Sequence, residues 1–233
     1  MASTLMSGEK RIVVPGDLVQ DRAKARVEGA VYKVNSQIRS KVLGVVLSDD
    51  GGKTLKVVPL KGKYIPSEGD LVIGKIVEVG FTSWTVDINS PYLAVLPVSE
   101  VTSKPVTIPR SDLSKILDEG DLILARVVSF DKSKEPVLTI KESRLGKIER
   151  GIVVEISPNK VPRVIGKKGS MVKLLEELLE VNIIVGQNGR VLVVGRNEKR
   201  EELAAIVIKK IEAEAHTEGL TSKVREYIKA RLT

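Results

Sequence analysis

The chain has 233 residues, 42% of them hydrophobic, enough for two or three small modules that each bury a core. Its 38 Lys and Arg outnumber 30 Asp and Glu for a net charge of +8, which puts an acidic polymer first among partners. Cysteine is absent and His216 is the one histidine, so disulfides, metal centres, cofactors and a histidine triad are not expected; with no membrane-length apolar run and no secretory leader, a soluble cytoplasmic protein is.

Residues 1–10 read as a tail, and Ile12-Val13-Val14 stops at the turn Pro15-Gly16-Asp17. Further β-type runs span 30–34, 40–47 and 54–60, the last two joined by the hairpin loop Ser48-Asp49-Asp50-Gly51-Gly52. Residues 1–66 are therefore expected to form a small β domain of four or five strands. Tyr64-Ile65-Pro66-Ser67-Glu68-Gly69-Asp70 marks a boundary. Residues 67–146 follow, with strands at 71–79, 84–88, 94–97, 122–130 and 136–141. Five short strands with an insertion before the fourth suggest an OB-type barrel.

A polar linker, 144–150, leads into residues 147–233. The pattern there predicts a strand at 151–156, helices at 161–165 and 170–180, and strands at 181–186 and 190–194. Asn188-Gly189 reads as the hairpin turn between those strands. Asn197 caps a long helix with Leu203, Ile206, Val207 and Ile211 on one face, and a basic helix at 222–232 ends the chain. The fold class is multidomain, β plus α/β.

Charge is uneven along the chain. Residues 1–66 hold 12 basic against 6 acidic side chains, a net +6; residues 67–146 hold 9 against 12, a net −3; residues 147–233 hold 17 against 12, a net +5. The densest basic stretch contains Lys160, Arg163, Lys167, Lys168 and Lys173, with no acidic residue between 160 and 173.

Within it, Ile165-Gly166-Lys167-Lys168-Gly169 lies between two helical segments. Glycine lets backbone approach a ligand, amides at the next helix start point toward an anion, and the lysines add charge suited to phosphates. Ile-Gly-x-x-Gly in this setting is the loop with which KH domains clamp about four nucleotides. The competing reading, a tight turn with solvated lysines, is weakened by the strand–helix–loop–helix–strand–strand–helix order around it. The expected RNA-binding set is Lys160, Arg163, Ile165, Gly166, Lys167, Lys168, Gly169 and Lys173.

Other residues are less telling. Trp84, the single tryptophan, is expected in a core rather than stacked on a base, and His216 at a surface. Lys132 and Lys134, in the loop joining the last two barrel strands, are weaker candidates for touching nucleic acid. Asp87, Asp118, Glu119 and Asp121 are spread over turns and strand ends, so no metal site is expected.

The run Gly74–Val79, Trp84–Ile88, Ala94–Glu100, Gly120-Asp121 and Leu138–Lys141 resembles the OB domain repeated in ribosomal protein S-one. Thr82, Thr85 and Pro97 stand where that family carries aromatics and a histidine for stacking bases, worth about 1–3 kcal/mol per base. Across the chain, Ile12–Asp17, Asp70–Val79, Trp84–Val101 and Val161–Val172 resemble the KH-containing RNA-binding cap subunits of the archaeal exosome. That resemblance implies a non-catalytic cap that binds RNA and feeds it to the pore of a hexameric ring of ribonuclease-PH-type subunits degrading from the 3′ end. It also implies three cap copies per ring, alone or mixed with another cap protein, with residues 1–66 on the ring and the OB domains around the pore, where Arg126, Lys132 and Lys134 would guide the strand. The alternatives are a stand-alone RNA-binding translation or ribosome-maturation factor, or part of a phosphorolytic nuclease.

Overall fold

The computed structural model describes residues 11–21, 26–49, 54–60, 62–101, 110–131, 133–217 and 219–232. By its internal contacts the chain divides into Met1–Gly62 and Lys63–Thr233.

The first unit has seven strands among the described residues: β1 (Arg11–Val13), β2 (Leu18–Asp21), β3 (Arg26–Gly29), β4 (Val31–Val34), β5 (Gln37–Ser40), β6 (Gly44–Asp49) and β7 (Thr54–Pro59). They form two sheets, ordered β1-β6-β7-β3 and β2-β5-β4. Four or five strands were expected: the sequence pattern does not mark β2 and β3, and residues 40–47 read as one apolar run. The Ser40 side chain breaks it: its hydroxyl donates to the Val42 carbonyl at 2.7 Å and accepts from the Val42 amide at 3.3 Å. Such a local side-chain turn competes with ladder pairing, and the chain leaves one sheet to enter the other. Val13, Val19, Val46, Leu55 and Val57 form the core. Residues 50–53 of the expected hairpin loop lie outside the described residues.

The second unit begins with a closed five-stranded barrel: β8 (Leu71–Val79), β9 (Ser83–Asp87), β10 (Leu93–Pro97), β11 (Leu122–Ser129) and β12 (Val137–Thr139). β8 pairs with β9 and β11, β9 with β10, and β12 bridges β10 and β11, which removes the free edges. The insertion before β11, where the sequence pattern marks no element, contains a helix, α1 (Arg110–Ile116). Its Leu113, with Leu117 beyond it, is fully buried in the barrel core. Trp84 is there too, its indole N–H donating to the Leu117 carbonyl at 2.9 Å. Tyr64, assigned from sequence to the preceding segment, packs into this core and donates to Asp70 at 2.7 Å. Burial and the Asp70 carboxylate both push its phenol pKa up.

The expected linker is partly structured. β13 (Gly146–Lys147) pairs with β11 before the chain enters β14 (Ile152–Glu155). Then come α2 (Val161–Ile165), α3 (Ser170–Leu179), β15 (Val181–Val185), β16 (Arg190–Gly195), α4 (Glu198–Ala213) and α5 (Leu220–Leu232). The sheet is ordered β14-β16-β15, all antiparallel. The Asn197 side chain caps α4 by accepting from the Lys199 amide at 2.9 Å. The buried stripe of α4 is Ala204, Val207, Ile208 and Ile211. Ile206, expected on that face, is 53% exposed, because the stripe is phased on Ala204 and 206 falls between its turns. Leu220, Val224 and Ile228 bring α5 into the same core, so this helix is part of the domain and not an appended tail.

The helices cover one face of the sheet. Val153, Ile184, Leu192 and Val194 on the other face pack with Leu71, Ile73 and Leu124 of the barrel. Asn188 holds this junction. It is fully buried, its Oδ1 accepting from the Ile73 amide at 3.3 Å and its Nδ2 donating to the Ile73 and Ile88 carbonyls at 2.8 and 3.0 Å. The neighbouring Gln187 amide donates to Leu71 at 2.8 Å. The hairpin turn expected at 188–189 is thus a plug, not a solvent loop.

Arg190 is the second anchor. Its guanidinium pairs with Asp87 at 2.6 Å and Glu155 at 2.8 Å and donates to the Asp87 carbonyl at 2.7 Å. Partial burial would raise the Asp87 carboxyl pKa, but hydrogen bonds from Arg190 and the Asn89 amide, with the charges of Arg190 and Lys75, hold it below the ordinary value.

Two outcomes follow from the junction. Asn188→Ala leaves the Ile73 amide and the Ile88 carbonyl without partners in an apolar seam, and the Ile73 carbonyl with Arg190 alone at 3.3 Å; at about 1–3 kcal/mol for each buried orphan, urea denaturation of the full chain is expected to show a loss of about 3 kcal/mol. For Asp87, a depressed folded-state pKa means the stabilisation is fully present above the ordinary aspartate value of about 3.9 and disappears as pH falls through the lower folded value. Thermal melts of Asp87→Asn are therefore expected to fall below the wild type at pH ~7 and to converge with it near pH ~2. The gap is about 1 kcal/mol, because the carboxylate remains a third exposed to solvent.

Candidate nucleic-acid interface

The Gly166–Gly169 loop joins α2 to α3 in a backbone shape that its residues dictate. Gly166 has φ 74° and ψ 172°, and Gly169 has φ 79° and ψ 11°. A side chain at Gly166 would also lie 2.6 Å from the Met171 amide, so that position is closed to other residues twice over. Lys168 is left-handed as well, φ 54° and ψ 32°, although it is not glycine. Holding a non-glycine residue there costs about 1–2 kcal/mol, a strain the surrounding helices must sustain. The fold tolerates it because α2 and α3 are anchored on both sides, through Val161 and Val164 and through Met171, Leu174 and Leu175.

α3 leaves this loop without a side-chain cap or an acidic residue in its first turn. Its first amides keep their partial positive charge and point back over the loop. Lys167 and Lys168 are exposed on the loop, Arg163 on α2 and Lys173 on α3. Lys160, Ile165, Gly166 and Gly169 are half-buried. The structure thus places the eight expected residues on one contiguous helix–loop–helix segment. None of the five cations pairs with a carboxylate among the described residues, whereas Arg126, Lys141, Lys147, Arg190, Arg200, Lys209 and Lys210 all do.

The barrel candidates lie elsewhere. Arg126, on β11, is held by Glu142 at 2.8 Å and donates to the Gly69 carbonyl, which gives it a structural job within the barrel. Lys134 is exposed in the turn before β12, where its amide bonds Asp131 at 2.8 Å. Lys132 lies outside the described residues. His216 is exposed. The carboxylates considered from sequence do not converge: Asp87 serves Arg190, and Asp121 pairs with Lys147 at 2.6 Å and accepts from the Asp118 amide. Among the described residues no group of His, Cys, Asp and Glu is arranged to hold a metal ion, and no helix is long and apolar enough to cross a membrane.

Sequence reasoning missed Asn188 and Arg190 as anchors between the two domains. Asn-Gly signals a hairpin whether its tip meets water or protein, and nothing local marks partners about 100 residues away.

Comparison with known proteins matches the same three parts. Residues 10–61 match the exosome RNA-binding protein RRP4 N-terminal domain, 63–129 the RRP4 S1 domain and 151–199 the KH domain. An exosome complex component Rrp4 from Thermofilum pendens is 61% identical over 99% of this chain and 98% of its own length. One from Aeropyrum pernix is 44% identical over 96% of each chain. A crystal structure described as one of an exosome complex RNA-binding protein superposes with a TM-score of 0.70 at 47% identity, covering 73% of this chain and 98% of that one. With an S-one-type barrel, a KH domain carrying an unpaired basic loop, and relatives this close over nearly the whole length, the chain belongs to the archaeal Rrp4 family of exosome complex components.

Proposed function

We propose that this chain is a non-catalytic, RNA-binding cap of an exosome, gripping RNA at Gly166-Lys167-Lys168-Gly169 and passing it to a hexameric 3′-to-5′ exoribonuclease ring of ribonuclease-PH-type subunits. The observation that carries it is the clustering of charge. Five cations share one acid-free helix–loop–helix segment, and none of them pairs with a carboxylate among the described residues. Lys160, Arg163 and Lys173 extend the loop's charge along α2 and α3, and Ile165 offers apolar surface beside it.

Residues 1–66 are proposed as the ring-binding domain. Support comes from β1, at the edge of its sheet among the described residues, where Ile12 is 68% exposed, with Val14 just beyond it 47% exposed. Apolar side chains on an unpaired strand edge are a liability that a stable partner removes. Lys134, with Lys132, is proposed to guide the strand near the pore; Arg126 contributes less, since Glu142 neutralises it.

The loop assignment is tested by Lys167→Asp with Lys168→Asp. RNA affinity is expected to fall by tenfold or more for every sequence, and the slope of log affinity against log salt to drop by about 1.4, two single-strand phosphate contacts at about 0.7 each. Unchanged binding and slope refute it. The assembly is tested by affinity capture from native extract, where ribonuclease-PH-type subunits are expected to co-purify and Ile12→Asp to weaken their recovery. A preparation without ring subunits favours the stand-alone translation or ribosome-maturation factor instead.

A further inference from the structure

The far end of α3 from the basic loop opens on a hollow of about 580 Å³, lined by Arg150, Glu176, Glu180, Asn182, Gly195 and Arg196. A shallower hollow of about 310 Å³ shares Arg150 and Val194 with it and runs along the 144–150 segment to Arg144. Two arginines and two glutamates line the larger hollow, so by sequence its charge cancels. Arg200, paired with Glu180, shifts that balance.

Glu176 accepts the Ile183 amide of β15 at 3.0 Å, and Glu180 pairs with Arg200 at 2.7 Å. Both carboxylates are engaged with groups of their own domain. Arg150 and Arg196 are exposed and have no hydrogen-bond or ion-pair partner among the described residues. Beside them Asn182 offers an exposed amide. In the shallower hollow Lys147 is taken by Asp121 at 2.6 Å. Arg200 offsets Glu180, while Glu176 keeps its charge, so the larger hollow is left with one net positive charge and two unpaired guanidinium groups, planar donors shaped for a phosphate or for the face of a base.

We infer that this hollow is a second RNA contact, in which Arg150 and Arg196 hold the phosphodiester backbone of a single strand that continues from the Gly166–Gly169 loop. The inference rests on the reading of that loop as an RNA clamp. α3 has ten residues, so about 15 Å separates its two ends. The loop grips about four nucleotides, and a longer strand running beside α3 meets the hollow next. An acidic peptide would satisfy the arginines as well, but the unpaired cations at the other end of the same helix favour a single polyanion spanning both.

The test compares an RNA of about four nucleotides, enough for the loop alone, with one of about twelve, using the full chain. Arg150→Glu with Arg196→Glu is expected to leave the short RNA bound as before, to weaken the long one about tenfold, and to reduce its salt slope by about 1.4. The pair Arg150→Gln and Arg196→Gln, which keeps part of each side chain's apolar stem, gives a smaller loss of the same length dependence should charge reversal unfold the chain. Equal loss for both lengths overturns the inference, because the arginines then act on the loop's own site. An unchanged long-RNA affinity and slope also overturn it, and an acidic peptide is then the remaining class to probe. If instead the Lys167→Asp, Lys168→Asp protein keeps its RNA affinity, it is the clamp reading that fails, which the short RNA reports separately.

Discussion

One buried carboxamide sets the relation between two domains. Asn188 offers an acceptor and two donors to main-chain groups of Ile73 and Ile88 inside an apolar seam. A carboxamide there suits no other arrangement, because any shift leaves polar groups dry and unpaired. Apolar packing of Leu192 on Ile73 and Leu124 supplies attraction without direction. The amide and the Arg190 fork supply the direction. The barrel and the KH domain consequently present their surfaces in one fixed geometry.

Charge is distributed by a related logic. Some cations of the second unit hold strands and helices together: Arg190 at the junction, Arg126 across the barrel, Arg200 at the end of α3. The loop cations escape this because their stretch of sequence contains no acid and its neighbours turn inward. Net charge alone would not have separated these two roles; local pairing does.

Much of this fold was legible in the sequence because its signals are local. Ile165-Gly166-Lys167-Lys168-Gly169 carries its own turn chemistry, α3 shows its apolar stripe, and Asn197 announces α4. Trp84 was expected in a core and is fully buried. What stayed hidden depends on distance or on a single atom. The Ser40 hydroxyl splits one apparent strand into two, the α1 insertion plugs the barrel with Leu113, and the stripe of α4 is phased on an alanine that carries little hydrophobic signal. Of the candidate site, the loop was readable; the hollow at the far end of α3 was not, because the residues that line it are brought together only by the fold.

The chain separation of the Asn188 plug also has a temporal side. Synthesis runs from the N-terminus at about 5–20 residues per second, and Arg190 leaves the ribosome roughly 40 residues after the last barrel pairing strand, β13. For about 2–8 s the barrel is complete while the Ile73 amide and its apolar neighbours still face water. The barrel must therefore hold its shape unaided during that interval, and its fully closed ring of strands, with no free edge to recruit a neighbouring nascent chain, is the property that makes the wait safe.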